Sequence, residues 1–190
     1  MNCNNSAFLG PYGCKCLKVV KRNEWGAQQP KEVVSIPLPV EMVFIHHTAM
    51  SPCYSIQTCS EEMRKIQDLH MITRGWYDIG YNYLVGEDGR VYEGRGWNRE
   101  GAHTKGFNRD AVAISVMGDF TSREPNEKAL KAVKDLISCA IENNIITENY
   151  RLYGHRDVRD TACPGNSFYK LIQTWPHYDF HKPTKEPIIG

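Results

Sequence analysis

The chain has 190 residues, 41% of them hydrophobic and 24% charged, with a formal net charge of +1. That length suits one domain with a sizeable core, and the scattered basic residues offer no footprint for a nucleic-acid partner. No apolar run approaches the ~18 residues needed to cross a bilayer.

Residues 1–17 read as a tail rich in Asn, Gly and Cys. The stretch has no apolar core of a secretory leader, so either a leader lies outside this chain or export does not use that route. Residues 18–30 read as a short strand and turn. In "SIPLPVEMVFIHHT" the prolines exclude helix, and the apolar run Val40 to Ile45 reads as a buried strand ending at His46. Over residues 56–73, Ile56, Cys59, Met63, Ile66 and Leu69 recur at three- and four-residue steps, which predicts an amphipathic helix closed by Gly75. "YNYLVGEDGRVYEG" is two β-rich runs around a Glu-Asp-Gly turn, a hairpin signal. "AVAISVMGDF" is another apolar strand. Pro125 opens a second helix whose buried stripe is Leu130, Val133, Ile137, Ala140 and Ile141. "YRLYGH" is a strand, "NSFYKLIQTW" a final helix stopped by Pro176, and residues 179–190 a tail.

Strands and helices alternate without a strict βαβ rhythm. The expectation is an α/β fold: a single domain over residues 18–178 with a mixed central β-sheet flanked by α-helices and stabilised by disulfides. Seven cysteines suggest an oxidising compartment, and an odd number leaves one over. Cys53 and Cys59 are close enough for a local bridge. Cys139 lies in a helical pattern and can anchor an N-terminal cysteine; Cys16 is the preferred partner, with Cys3 and Cys14 as a third pair. Spacing does not fix this connectivity. On this accounting the leftover is Cys163.

Cys163 sits in "GHRDVRDTACPG", a stretch too polar and turn-rich to be core. It reads as a disulfide partner, a plain buried thiol or a metal ligand. A catalytic zinc needs three protein ligands and an open position. His46 closes "VFIHH", His155 closes "YRLYGH", and Cys163 follows in the loop. Two neutral imidazoles and a thiolate leave about one net positive charge on Zn²⁺, enough to lower the pKa of bound water toward ~7. Against this, His46 and His47 also read as ordinary satisfied side chains, the His-to-Cys spacing is not that of a zinc finger, and HExxH is absent. No Asp or Glu stands out as a general base.

Taken in order, "RNEWGA", "FIHHTA", "GWYDIGYNYLVGEDGRVYEGRGWN", "GAHT" and "GHRDVRDTACPG" closely resemble the peptidoglycan recognition proteins, relatives of phage-type zinc amidases, over roughly residues 18–178. The family's fold is a mixed β-sheet flanked by helices. Its amidase members carry a His-His-Cys zinc triad, which here matches His46, His155 and Cys163; non-catalytic members commonly have Ser at the cysteine position. The resemblance therefore implies a zinc-dependent N-acetylmuramoyl-L-alanine amidase, secreted and acting in innate immunity, with a binding-only recognition or bactericidal protein as the alternative. Tyr81 matches the family's catalytic tyrosine and Thr161 a residue that assists the reaction; both hydroxyls can meet the developing oxyanion. The family's muropeptide contacts match His47, Thr48, His70, Gly75, Trp76, Tyr81, Arg95, His103 and Asn108.

Members that bind diaminopimelate-type stems tend to carry Gly-Trp at the position of Gly75-Trp76, and a guanidinium such as Arg95 can pair with the extra carboxylate of that residue. The expected partner is thus diaminopimelate-type peptidoglycan. A monomer is the expected state, with a dimer bridged through the cysteine-bearing tail left open.

Overall fold

A computed structural model of the chain describes residues 17–183. Its centre is the strand predicted from the apolar run before the paired histidines. This strand, β2 (Val40–His47), is buried at every position except Glu41 and carries both histidines within it. The other strands are β1 (Val19–Val20), β3 (Tyr83–Val85), β4 (Val91–Glu93), β5 (Ala111–Val116) and β6 (Ile146–Gly154). They form one six-stranded sheet in the order β1-β4-β3-β5-β2-β6. Only β3 and β4, the predicted hairpin, pair antiparallel; every other pairing is parallel. The sheet is mixed, as expected.

Period-two alternation sends the two sides of each strand to different helices. Val43 and Ile45 of β2, with Val112, Ile114 and Val116 of β5, pack against α3 (Glu127–Glu142) and α4 (Asn166–Ile172). Leu84 and Tyr92, on the opposite face, pack with Trp25 of α1 (Arg22–Trp25) and with Cys59, Met63 and Ile66 of α2 (Ile56–Asp68). The α3 stripe behaves as its spacing predicts: Val133, Ile137 and Ala140 are buried, while Leu130 and Ile141 pack at its margin.

Two expectations are corrected. Part of residues 18–30 is helical: Glu24 bonds back to the Lys21 N–H at 2.7 Å, Trp25 is buried and donates to Glu93 O, and Gly26 ends the turn at φ +79°. The helix over 56–73 is not uniform either. It is α-helical to Asp68 and continues as one π-helical turn, Leu69–Thr73, a widening that frequently marks functional positions. Gly75 then reverses the chain at φ +72°. Ile56, placed on the buried stripe, is 41% exposed because it lies in the first turn, beyond the edge of the sheet-facing side.

Cys53 and Cys59 are bridged, closing the start of α2. Cys139 is also disulfide-bonded; its expected partner Cys16 and the proposed Cys3–Cys14 pair lie outside the described residues. Among the described residues Cys163 is the free thiol. No helix among them is long and apolar enough to cross a membrane.

Candidate metal centre and adjoining cleft

Parallel strands present their carboxyl ends on one edge of the sheet, where α/β folds characteristically bind ligands. His46 is the penultimate residue of β2, and His155 follows β6 directly in a 3-10 turn, His155–Asp157. The loop after that turn returns Cys163 to the same edge. One ligand atom from each of His46, His155 and Cys163 lies within 4.8 Å of the others. The His46 and His155 rings are 4.5 Å apart, and His46 Nδ1 lies 3.6 Å from Cys163 Sγ. Tetrahedral bonds of about 2.0–2.3 Å to zinc place ligand atoms about 3.5 Å apart, so the cluster is close to the size a zinc ion requires.

The donor chemistry fits as well. Burial, then the neighbouring histidines, hold His46 well below the ordinary imidazole range. Burial, then Arg159 and His47, lower His155 to about 4. Both rings are neutral at physiological pH and offer lone pairs. His46 turns its other nitrogen, Nε2, to Thr104 Oγ1 at 3.3 Å, and Thr104 in turn meets His103 Nδ1 at 3.0 Å. A partner of this kind on the far nitrogen fixes the tautomer of a metal-binding histidine. Cys163 is pushed up to about 12 by burial, against the opposing pull of the His47 backbone N–H and the Arg156 charge. A thiol in that setting ionises at neutral pH only when a cation joins it.

Tyr81 stands beside the cluster, its ring 5.3 Å from His46. Burial, then Cys163, push its phenol far above the ordinary range, so it keeps its proton. Thr161 Oγ1 accepts the Cys163 backbone N–H at 3.2 Å. His70, on the π-helical turn, accepts the Gly80 N–H at Nδ1 (2.9 Å), and burial lowers it to about 3. Its ring is 4.6 Å from Trp76 and 5.7 Å from Tyr81. A row of rings thus runs from Trp76 through His70 and Tyr81 to His46 and His155.

At the Trp76 end opens a cleft of about 520 Å³, lined by Gly75, Trp76 and Arg95 together with Glu32, Tyr77, Gly101 and Arg109. Arg95 is nearly buried. Its Nε donates to Ile79 O (2.8 Å), Nη1 to Glu100 O (2.6 Å) and Nη2 to Asp78 O (3.4 Å).

The remaining expected contacts are engaged within the fold. His47 Nδ1 accepts the Phe120 N–H, and Thr48 Oγ1 accepts the Gly118 N–H. Asn108 Oδ1 accepts the N–H groups of both His103 and Thr104, which sets the loop behind His46. The sequence reading missed Thr104 and Ser115. Ser115, in register with His46 across β2 and β5, is fully buried. Its side chain interacts with the Tyr81 hydroxyl, and His103 with the Ala111 backbone, so both are tied into the wall around His46.

The cluster lies within residues 37–166, the stretch that the family model for N-acetylmuramoyl-L-alanine amidase matches. Peptidoglycan recognition protein 1 of Bos indicus is 44% identical over 164 residues, 86% of each chain. A Mus musculus protein named N-acetylmuramoyl-L-alanine amidase is 40% identical over 176 residues, 90% of this chain and 32% of that protein. Among solved structures, peptidoglycan recognition protein-LE in complex with tracheal cytotoxin, a monomeric diaminopimelic acid-type peptidoglycan, matches with a TM-score of 0.84 at 41% identity, over 85% of this chain and 95% of that one. The chain belongs to the peptidoglycan recognition protein family.

Proposed function

We propose that this protein binds bacterial peptidoglycan, with a preference for diaminopimelate-type stems, and hydrolyses the amide between N-acetylmuramic acid and L-alanine using zinc held by His46, His155 and Cys163. The observation that carries the reading is the convergence of those three ligand atoms within 4.8 Å. Further support comes from the name of the mouse relative and from the cytotoxin complex of the recognition protein-LE. The protein acts outside the cell, in antibacterial defence.

When bound, zinc supplies polarisation of the scissile carbonyl and activation of a water. The protein's own groups do the rest. His46 and His155 present lone pairs because burial keeps them neutral. Tyr81, held protonated, donates its O–H to the carbonyl oxygen as negative charge develops there. A donor of this kind contributes about 2.7–4 kcal/mol to the transition state. Thr161 spends a lone pair on the Cys163 N–H, which leaves its hydroxyl proton to donate in the same direction.

In the cleft the Trp76 face packs against the stem peptide. Arg95 has five N–H donors, three of them directed at backbone carbonyls. The rest remain for the side-chain carboxylate of diaminopimelate. His70 stands between Trp76 of the cleft and Tyr81 beside the metal ligands, and His47, Thr48, His103 and Asn108 are assigned to the same groove by the family resemblance.

The test is to measure zinc in the purified protein and to assay cleavage of defined lysine- and diaminopimelate-type muropeptides with and without chelator. Stoichiometric zinc, chelator-sensitive cleavage and faster turnover of the diaminopimelate substrate are expected. Zinc with no turnover on any muropeptide reduces the protein to a recognition module, and absence of both removes the enzyme reading.

A further inference from the structure

The three ligands are not equally well held. His46 belongs to a central strand bonded on both sides, whereas Cys163 lies in a loop with no regular structure of its own. The side chain that ties this loop down is Arg156, the residue immediately after His155. Its backbone N–H donates to Cys163 O at 3.1 Å, and its Nε donates to the same carbonyl at 3.3 Å. Nη2 donates to Ala162 O, and Nη1 to Asn166 Oδ1 at 2.8 Å. The guanidinium lies over the Tyr169 ring, 4.7 Å from its centroid.

The turn that carries Arg156 is anchored in its own right. Asp157 Oδ2 accepts the Gly154 N–H at 2.7 Å, which fastens the turn to the end of β6. Tyr169 OH donates to Asp157 Oδ1 at 2.5 Å, and Tyr178 OH meets both carboxylate oxygens at 3.0 Å. Asp157 thus fixes the turn from below while Arg156 reaches across to the loop. The planar fork of arginine, with several donors in fixed directions, suits this grip on two successive carbonyls and a side chain.

We propose that Arg156 is a positioning residue that sets the His155-to-Cys163 spacing by bracing the Cys163 loop. The inference rests on the reading of His46, His155 and Cys163 as zinc ligands, and it deepens that reading. Arg156 touches neither metal nor substrate; it acts through Cys163.

The experiment compares wild type with Arg156→Gln and Arg156→Lys, with Lys170→Gln as a control. Lys170 is an exposed cation on α4. Three quantities are read: the zinc dissociation constant by competition with a chromophoric chelator, the rate at which an aromatic disulfide modifies Cys163 in the folded zinc-free protein, and muropeptide binding by the zinc-free protein. Arg156→Gln is expected to weaken zinc about 10–100-fold, the range for groups that orient a ligand. It is also expected to speed thiol modification, with muropeptide binding unchanged. Loss of a nearby positive charge alone would slow that modification, because it disfavours the thiolate, so the sign separates bracing from charge. Arg156→Lys keeps the charge and loses the fork, and should resemble Arg156→Gln. Zinc affinity and thiol reactivity both within twofold of wild type in Arg156→Gln would overturn the proposal, as would full recovery by Arg156→Lys. If wild type itself binds no zinc, the metal reading fails, and the thiol rates still decide whether Arg156 braces the loop.

Discussion

The two faces of one strand pair do different work. On the side toward α3 and α4, β2 and β5 contribute Val43, Ile45, Val112, Ile114 and Val116, all buried in one apolar cluster. On the other side, β5 offers Ala111, Ala113 and Ser115, and β2 offers Met42, Phe44 and, one residue before its end, His46. Branched side chains fill the first face along its length. On the second, Met42 and Phe44 pack with Tyr153 lower in the strand, and at the carboxyl end the small Ser115 stands in register with the buried His46. The contrast teaches that the first face is apolar throughout, whereas the second gives up apolar packing at its carboxyl end to hold buried histidines, which costs stability.

The sharpest way to break this division is at the metal. Cys163→Ser should bring hydrolysis down to the assay background while muropeptide binding, read by calorimetry, persists; loss of both together would mean that Cys163 supports the groove and not the metal. On the opposite face, Leu136→Ala in α3 should cost about 2–5 kcal/mol, read from denaturant midpoints, with zinc affinity of the folded protein unchanged. A fall in zinc affinity there would show that the two faces are coupled. Tyr81→Phe removes a donor without altering shape. It should lower kcat about 10²–10³-fold with little change in KM or stability, and a KM effect alone would make Tyr81 a binding residue. Thr104→Val tests the support behind His46 and should weaken zinc by about 10-fold, the low end for such partners. An unchanged affinity would leave Thr104 as packing only.

Much of this contrast was legible in the sequence. The apolar runs that became β2, β5 and β6 and the stripe of α3 are period signals, and they survive because packing obeys the same periods. His46, His155 and Cys163 stood out because strand ends and an odd cysteine are one-dimensional features. What supports them was not legible. Thr104, Ser115 and Arg156 matter through neighbours 58, 69 and 7 residues away, which only the strand register and the loop closure bring close. Arg95 is expected to pair with a carboxylate, and the chain pattern cannot reveal that it also bonds to three carbonyls. The π-helical turn at His70 likewise leaves no mark on an apolar stripe.

The smallest expected effect lies at the edge of the cohesive face, where the β3–β4 hairpin is tied to the start of α3. Glu87 is buried, accepts both terminal nitrogens of Arg123 (2.9 and 2.6 Å), and accepts the Asn126 N–H that opens the helix. Burial alone would raise its carboxyl, but the Arg123 bonds, the Asn126 N–H and the Arg123 charge outweigh it, and the net direction is downward. A carboxylate lowered in the folded state binds fewer protons there than in the unfolded chain. Its contribution is therefore complete above the unfolded value of about 4.3 and is lost as pH falls through the lower folded value. Glu87→Gln should cost about 1.5 kcal/mol at pH 7, the low end for a bond to a charged group, because Arg123 is 42% exposed and regains water when released. Its stability should also fall less steeply than that of wild type as pH drops below about 4.3. Denaturant midpoints of both proteins between neutral and acid pH check this. Parallel curves would mean that the carboxylate gains nothing from its partners, and that the tie between hairpin and helix rests on the Asn126 side chain and its bond to Glu87 O.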